Sequence, residues 1–157
     1  MRWGDYILTQ TRVTPTELDV TVPGDLVTSA GSASIFVQIP LPGGGLITLP
    51  YAIENPPPLL SELDPPSSVA GEPSLPLTVR GSHFLPSSVV RWDGAALATT
   101  YVNSATLRVE LGAAQIASVG EASVTVSTPA PGGGTSASLS HSLVAAPAPQ
   151  LAGVSPF

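Results

Sequence analysis

Val89-Val90-Arg91-Trp92-Asp93-Gly94 and Met1-Arg2-Trp3-Gly4-Asp5 are two copies of one short motif, and the distance between them decides how the rest of the chain is read. The two tryptophans of the sequence are 89 positions apart (92 less 3). The same offset relates Leu8 to Leu97, Leu18 to Leu107, Val20 to Val109, Gly31 to Gly120 and Val37 to Val126. It also lays Pro42-Gly43-Gly44-Gly45 on Pro131-Gly132-Gly133-Gly134. Self-similarity at a fixed period is the mark of a repeat architecture. The chain reads as opening inside one repeat, running through a whole one and stopping at the start of a third.

Within the repeat, apolar and polar residues alternate with the period of two expected of half-buried strands. Leu18, Val20 and Val22 alternate with Glu17, Asp19 and Thr21, and in the next copy Leu107, Val109 and Leu111 alternate with Thr106, Arg108 and Glu110. A second such strand carries Ala33, Ile35 and Val37 in one copy and Ala122, Val124 and Val126 in the other. A third sets Leu75, Leu77 and Val79 inward, with Pro76, which cannot donate to a ladder, marking its beginning or a free edge. A last one sets Ala137, Leu139, His141 and Leu143 against serines, and Val90 and Trp92 face inward ahead of an Asp93-Gly94 turn. The triple glycines are expected to reverse the chain tightly between strands. Gly112 to Ala117 lacks alternation and suits a single helical turn with Ile116 tucked beneath the sandwich.

Composition supports many short strands and few helices. Of 157 residues 18 are Pro and 15 are Gly, which disfavours long helices. There is no Lys, the five basic residues are separated arginines and the net charge is −6, so a nucleic-acid backbone finds little to hold. No apolar run reaches the roughly 18 residues of a membrane helix, and the first residues lack the pattern of a signal peptide. Without Cys there is no disulfide, thiolate metal site or cysteine nucleophile.

About seven short strands in about 90 residues, with regular turn signals, are the signature of an immunoglobulin-like sandwich. The run Leu60 to Pro65, then Leu77-Thr78-Val79-Arg80-Gly81-Ser82-His83-Phe84, Val89 to Gly94 and Ala122-Ser123-Val124-Thr125-Val126 resembles the IPT/TIG family of immunoglobulin-like domains, in its bacterial tandem-repeat form. The expected class is all-β: tandem IPT/TIG sandwiches, one complete and one N-terminally truncated. The expected division is residues 1–55 for the truncated copy, 56–146 for the complete domain, and 147–157 for a linker and the first strand of a following repeat. His83 departs from the family's usual Asn or other turn-former, and His also tolerates the left-handed region. The resemblance implies a non-catalytic segment of a larger surface or secreted protein, extracellular, acting as spacer and adhesion module. A carbohydrate- or protein-binding accessory module attached to an enzyme is the alternative.

The candidate chemistry is sparse. A serine hydrolase would need His83 or His141 held between a nucleophile and an acid, yet both histidines have structural explanations, in a turn and on an inward strand face. Glu62 and Asp64, with Glu54, are the nearest approach to a calcium set, and the other acids lie singly. No cofactor and no metal ligand set is expected. Trp3, Trp92, Tyr51 and Phe84 fall on the inward pattern. Phe36 on an outward face, Tyr101 at the position that Arg12 holds in the other copy, and Tyr6 in a turn are the candidate exposed binding aromatics, for a protein or carbohydrate ligand. The expected partners are otherwise neighbouring Ig-like repeats, with no nucleic acid and no membrane insertion. The truncated copy lacks two strands, so its open edge and the strand-like tail Gln150 to Pro156 are expected either to associate weakly head to tail or to leave a monomer with poorly ordered first residues.

Overall fold

The computed structural model describes residues 1–148 apart from 15, 28 and 41, and the side chains of 10–13 are likewise not described. The tail strand expected from Gln150 onward, and the Arg12 side chain, therefore lie outside the described residues. The chain is all-β, and among the described residues the one element that is not a strand is a 3-10 turn at Gly24–Val27. Among the described residues no helix is long and apolar enough to cross a membrane. Two compact units are formed, one from Met1–Pro56 with Pro129–Gly133, the other from Pro57–Thr128 and the described residues from Gly134 onward.

The described residues of the first unit form six strands: β1 (Arg2–Trp3), β2 (Tyr6–Ile7), β3 (Gln10–Val13), β4 (Leu18–Val20), β5 (Gly31–Gln38) and β6 (Leu46–Ile53). One sheet runs in the order β2-β1-β5-β6, and β3 and β4 make a separate antiparallel pair. The described residues of the second unit form ten: β7 (Leu59–Asp64), β8 (Ser67–Val69), β9 (Ser74–Ser82), β10 (Val89–Trp92), β11 (Ala95–Ala96), β12 (Thr99–Asn103), β13 (Thr106–Gly112), β14 (Gly120–Thr128), β15 (Gly134–Thr135) and β16 (Leu139–Val144). Its sheets run β12-β13-β9-β7 and β11-β10-β14-β16-β8, with β15 attached to β14. The opening strand thus changes sheets: β7 lies antiparallel to β9, and after Pro65-Pro66 the short β8 lies parallel to β16.

Alternation becomes burial in the second unit. Leu77, Val79, Leu107, Val109, Leu111, Val124 and Val126 meet in one core with Val90, Trp92, Leu63, Phe84 and Ile116. Pro76 sits ahead of Thr78, where pairing with β7 begins, so its missing N–H faces no strand on that side. Asp93 and Gly94 both take positive φ, 49° and 83°, as a two-residue hairpin turn requires, and Asp93 Oδ1 accepts the Ser123 N–H at 2.8 Å. His83 takes φ 60°, so the left-handed turn forms as the family resemblance implies. Phe84, fully buried, follows it, and its ring lies over Gly81, where a Cβ would overlap both that ring and the Leu59 carbonyl. The buried Ser88 and Thr128 hydroxyls satisfy each other at 2.8 Å.

Three expectations need correction. Gly112 ends β13 and residues 113–116 form turns rather than a helical turn, although Ile116 is fully buried as anticipated. The last strand starts at Leu139, with Ala137 exposed, because the Ser136 hydroxyl accepts the Val126 N–H and ends the β15 ladder early. Tyr51 is 49% exposed rather than in the core, since no strand of its own unit covers that end of β6 among the described residues.

Two substitutions test this packing in a chain of residues 57–146. Trp92→Ala is expected to cost about 3–5 kcal/mol in urea unfolding, the range for an aromatic removed from a core. Gly81→Ala is expected to cost at least about 1–3 kcal/mol, because backbone and a buried ring both resist the added methyl. A loss below about 1 kcal/mol for either would place that residue at the surface.

Candidate functional site

Every titratable group that the sequence offered for catalysis has a structural engagement. His141 is fully buried on β16, with its ring 5.4 Å from that of Trp92. Its Nε2 shares a 2.9 Å hydrogen bond with Ser68 Oγ, a contact between residues 73 positions apart that only the parallel placement of β8 makes possible. A serine and a histidine are therefore in contact, but among the described residues no third element of a triad joins them. His141 Nδ1 makes no hydrogen bond, so no carboxylate orients the ring, and a ring with no exposed surface cannot reach a substrate. Burial pushes the His141 pKa below its ordinary 6.5, and the Pro65 carbonyl, which favours the protonated ring, offsets this only in part. His83 is exposed, and its Nδ1 lies 3.2 Å from the Pro57 carbonyl oxygen, bracing the turn against the start of the domain.

The acidic residues behave similarly. Glu62 and Asp64 both turn to the Arg80 guanidinium, at 3.8 and 3.6 Å, across the β7–β9 pair. Among the described residues no three metal-ligating side chains converge.

The three aromatics singled out for binding are not brought together. Tyr101 belongs to the second unit, on the edge strand β12, where it pairs with the buried Leu107; its 37% exposure comes from the sheet edge rather than from an outward face. In the first unit, Tyr6 pairs with Trp3 and Phe36 with Arg2, so the register puts the two on opposite faces of one sheet. Tyr6 lies in β2 rather than in the preceding turn and is 61% exposed. Phe36 is only half-buried, and it lines an open cleft of about 540 Å³ with Arg2, Gln38, Ile39, Gly44 and Leu46. This cleft needs glycine at 44, where a Cβ would overlap the Ile39 and Pro40 carbonyl oxygens. Here a sequence-derived aromatic, Phe36, and the Arg2 side chain line the same cleft.

With the sandwich and its interior in view, comparison with known proteins adds the family. A family model described as the IPT/TIG domain matches residues 58–142, more than half of the chain. The chain belongs to the IPT/TIG family. The matched stretch runs from β7 into β16, in keeping with the immunoglobulin-like sandwich formed there. IPT/TIG domains are generally non-catalytic modules, in keeping with a histidine whose contacts are structural. No curated protein and no solved structure matches the chain.

The buried imidazole makes a pH prediction. The unfolded chain protonates His141 near 6.5 while the folded chain resists, so stability is fully present above that pH and falls as pH drops through it toward the lowered folded value. Urea midpoints for residues 57–146 should therefore fall between pH 7.5 and pH 5. His141→Phe should be neutral within about 1 kcal/mol at pH 7.5, because it removes an unpaired buried nitrogen while half-buried Ser68 can turn to water, and it should flatten that fall. An equally steep fall in the variant would assign the pH dependence to other groups.

Proposed function

We propose that this chain is a segment of a larger bacterial surface or secreted protein built from tandem IPT/TIG repeats, in which each sandwich serves as a non-catalytic structural spacer and adhesion scaffold. The observation that carries the reading is the agreement of the two units in register and in ring packing. Arg2 pairs with Phe36 and Trp3 with Ile35, as Arg91 pairs with Thr125 and Trp92 with Val124. Ala33 pairs with Tyr51 as Ala122 pairs with His141. The Trp3 and Tyr51 rings stand 5.3 Å apart, against 5.4 Å for Trp92 and His141. On this reading residues 1–55 are the C-terminal part of a repeat, 56–146 a whole one, and the natural partners are neighbouring repeats of the same parent.

The cleft around Phe36 favours a second reading, an accessory module that binds a carbohydrate or protein. Its Arg2, Gln38 and Phe36 offer hydrogen-bond donors beside an aromatic ring, the combination such ligands use.

A spacer repeat must fold without help. Residues 57–146 should melt in a single sharp transition, with calorimetric and van't Hoff enthalpies equal. A broad, non-cooperative melt would contradict the reading of that stretch as a complete repeat. In the full chain, a saturable saccharide-induced rise in melting temperature that is lost in Phe36→Ala would instead favour the binding module.

A further inference from the structure

In the second unit the strand with the least to hold it lies directly over the one buried imidazole. β8 contributes no buried side chain: Ser67 is exposed, and Ser68 and Val69 are half-buried. Its place depends on parallel pairing with β16, Ser67 beside Ser142 and Val69 beside Val144. The Ala70 N–H donates to the Val144 carbonyl at 2.8 Å, the Ser142 N–H reaches the Pro66 carbonyl at 3.4 Å, and one side-chain bond joins Ser68 Oγ to His141 Nε2. A segment with so few buried apolar contacts opens at a lower free energy than the whole fold. His141 is the reverse case, fully buried with Nδ1 lacking a partner. Among the described residues no carboxylate or cation faces its ring. From β8 it meets Ser68, and from β10 Trp92. On β14 Ala122 lies opposite, while the next residue, Glu121, accepts a bond from the exposed Ser140. From β7 the core receives Leu63, while Asp64 turns to Arg80. Beyond Ser68, the polar group beside the ring is the Pro65 carbonyl.

We propose that Ser68 and His141 form an acid-sensitive latch: protonation of His141 releases β8 from β16 while the rest of the sandwich stays folded. A neutral ring that donates its Nε2 proton to Ser68 leaves only a lone pair unmatched at Nδ1. A second proton puts a charge and an unpaired donor into the core, with no carboxylate to meet either. Water is nearest past β8, because Ser68 is the half-buried group that covers Nε2. Lifting β8 hydrates the ring and leaves the buried core in place, since β8 supplies none of it. The segment lifts between two fixed points. On one side β7 stays paired with β9 as far as Asp64, and on the other the Gly71 N–H is bonded to the Ile116 carbonyl at 2.7 Å. The sign follows from burial: the uncovered ring protonates near 6.5 and the covered one at lower pH, so the latch is closed above 6.5 and opens as pH falls through it. Once open, the outer edge of β16, with the Ser142 N–H and the Val144 carbonyl, faces water.

The test is amide exchange read by NMR on the full chain at pH 7.5 and pH 5, corrected for the intrinsic effect of pH on exchange. The Ala70 and Ser142 amides, which cross between β8 and β16, report the latch, and Leu107 and Val109 in β13 report the whole unit. Protection of Ala70 and Ser142 should fall about five- to thirtyfold at pH 5, the range open to one proton taken up near 6.5. Their exchange should respond little to urea, as a local opening exposes little surface, while the β13 amides stay more protected at both pH values and respond steeply. In His141→Phe the two reporter amides should keep their protection at pH 5 within about twofold of that at pH 7.5. Ser68→Ala keeps the imidazole and removes its bond, so protection of the same amides should drop about two- to tenfold already at pH 7.5. Exchange of Ala70 and Ser142 in step with β13 at pH 5, urea dependence included, would mean that acid acts by global unfolding and would overturn the latch. So would an undiminished pH response in His141→Phe. If that variant does not fold, unchanged protection in Ser68→Ala at pH 7.5 overturns the proposal by itself.

Discussion

The inward face of β9 is the constraint on which the second unit depends. Leu77 and Val79 belong to the strand between β13 and β7, and their side chains join the core with Val90, Trp92, Val124, Val126 and Leu143, converting strands with one apolar side into a closed core. A sheet with an apolar face is stable only when another layer covers it. Fixing β9 also fixes its neighbours: Gly81 admits the Phe84 ring, and β7, held along β9, delivers the chain through Pro65-Pro66 to β8. There Ser68 meets His141, so even the buried polar contact follows from how β9 and β7 are laid down.

Among the described residues, the first unit shows matching strands without that cover. Trp3 remains buried at 6% exposure, close to the 5% of Trp92, because the sheet that surrounds it is present in both units. Tyr51 and His141 occupy matched positions beside those tryptophans, yet one is half in water and the other fully enclosed. The difference lies in the covering strands and not in the ring pair itself. Residue type follows the environment: an imidazole is tolerated where Ser68 offers it a hydrogen bond, whereas a phenol at an open rim keeps its hydroxyl in water.

Much of this was legible in the residues. Period-two alternation identified β9, β13 and β14, and the inward places of Val90, Trp92 and His141, because in a half-buried strand one face must be apolar. The Asp93-Gly94 turn and the left-handed His83 were readable for the same local reason. What escaped depended on distant parts of the chain. β8 is three residues with no alternation, and β12, Thr-Thr-Tyr-Val-Asn, has no polar face to contrast with an apolar one. Tyr51 was misplaced because a pattern says which way a side chain points and not whether anything lies there. The cleft beside Phe36 needed the pairing of β1 with β5 and the fold of the glycine turn, neither of which a spacing of residues reveals.

If cover by β9 is what separates the two units, matched strands should differ most in how often their amides open. Native-state hydrogen exchange on the full chain measures this directly, comparing Leu107 and Val109 in β13 with Leu18 and Val20 in β4. The account predicts that the β13 amides exchange only through global unfolding of their unit, while the β4 amides exchange faster by at least about a hundredfold, through local opening. Equal protection of the two strands in a monomeric chain would contradict it.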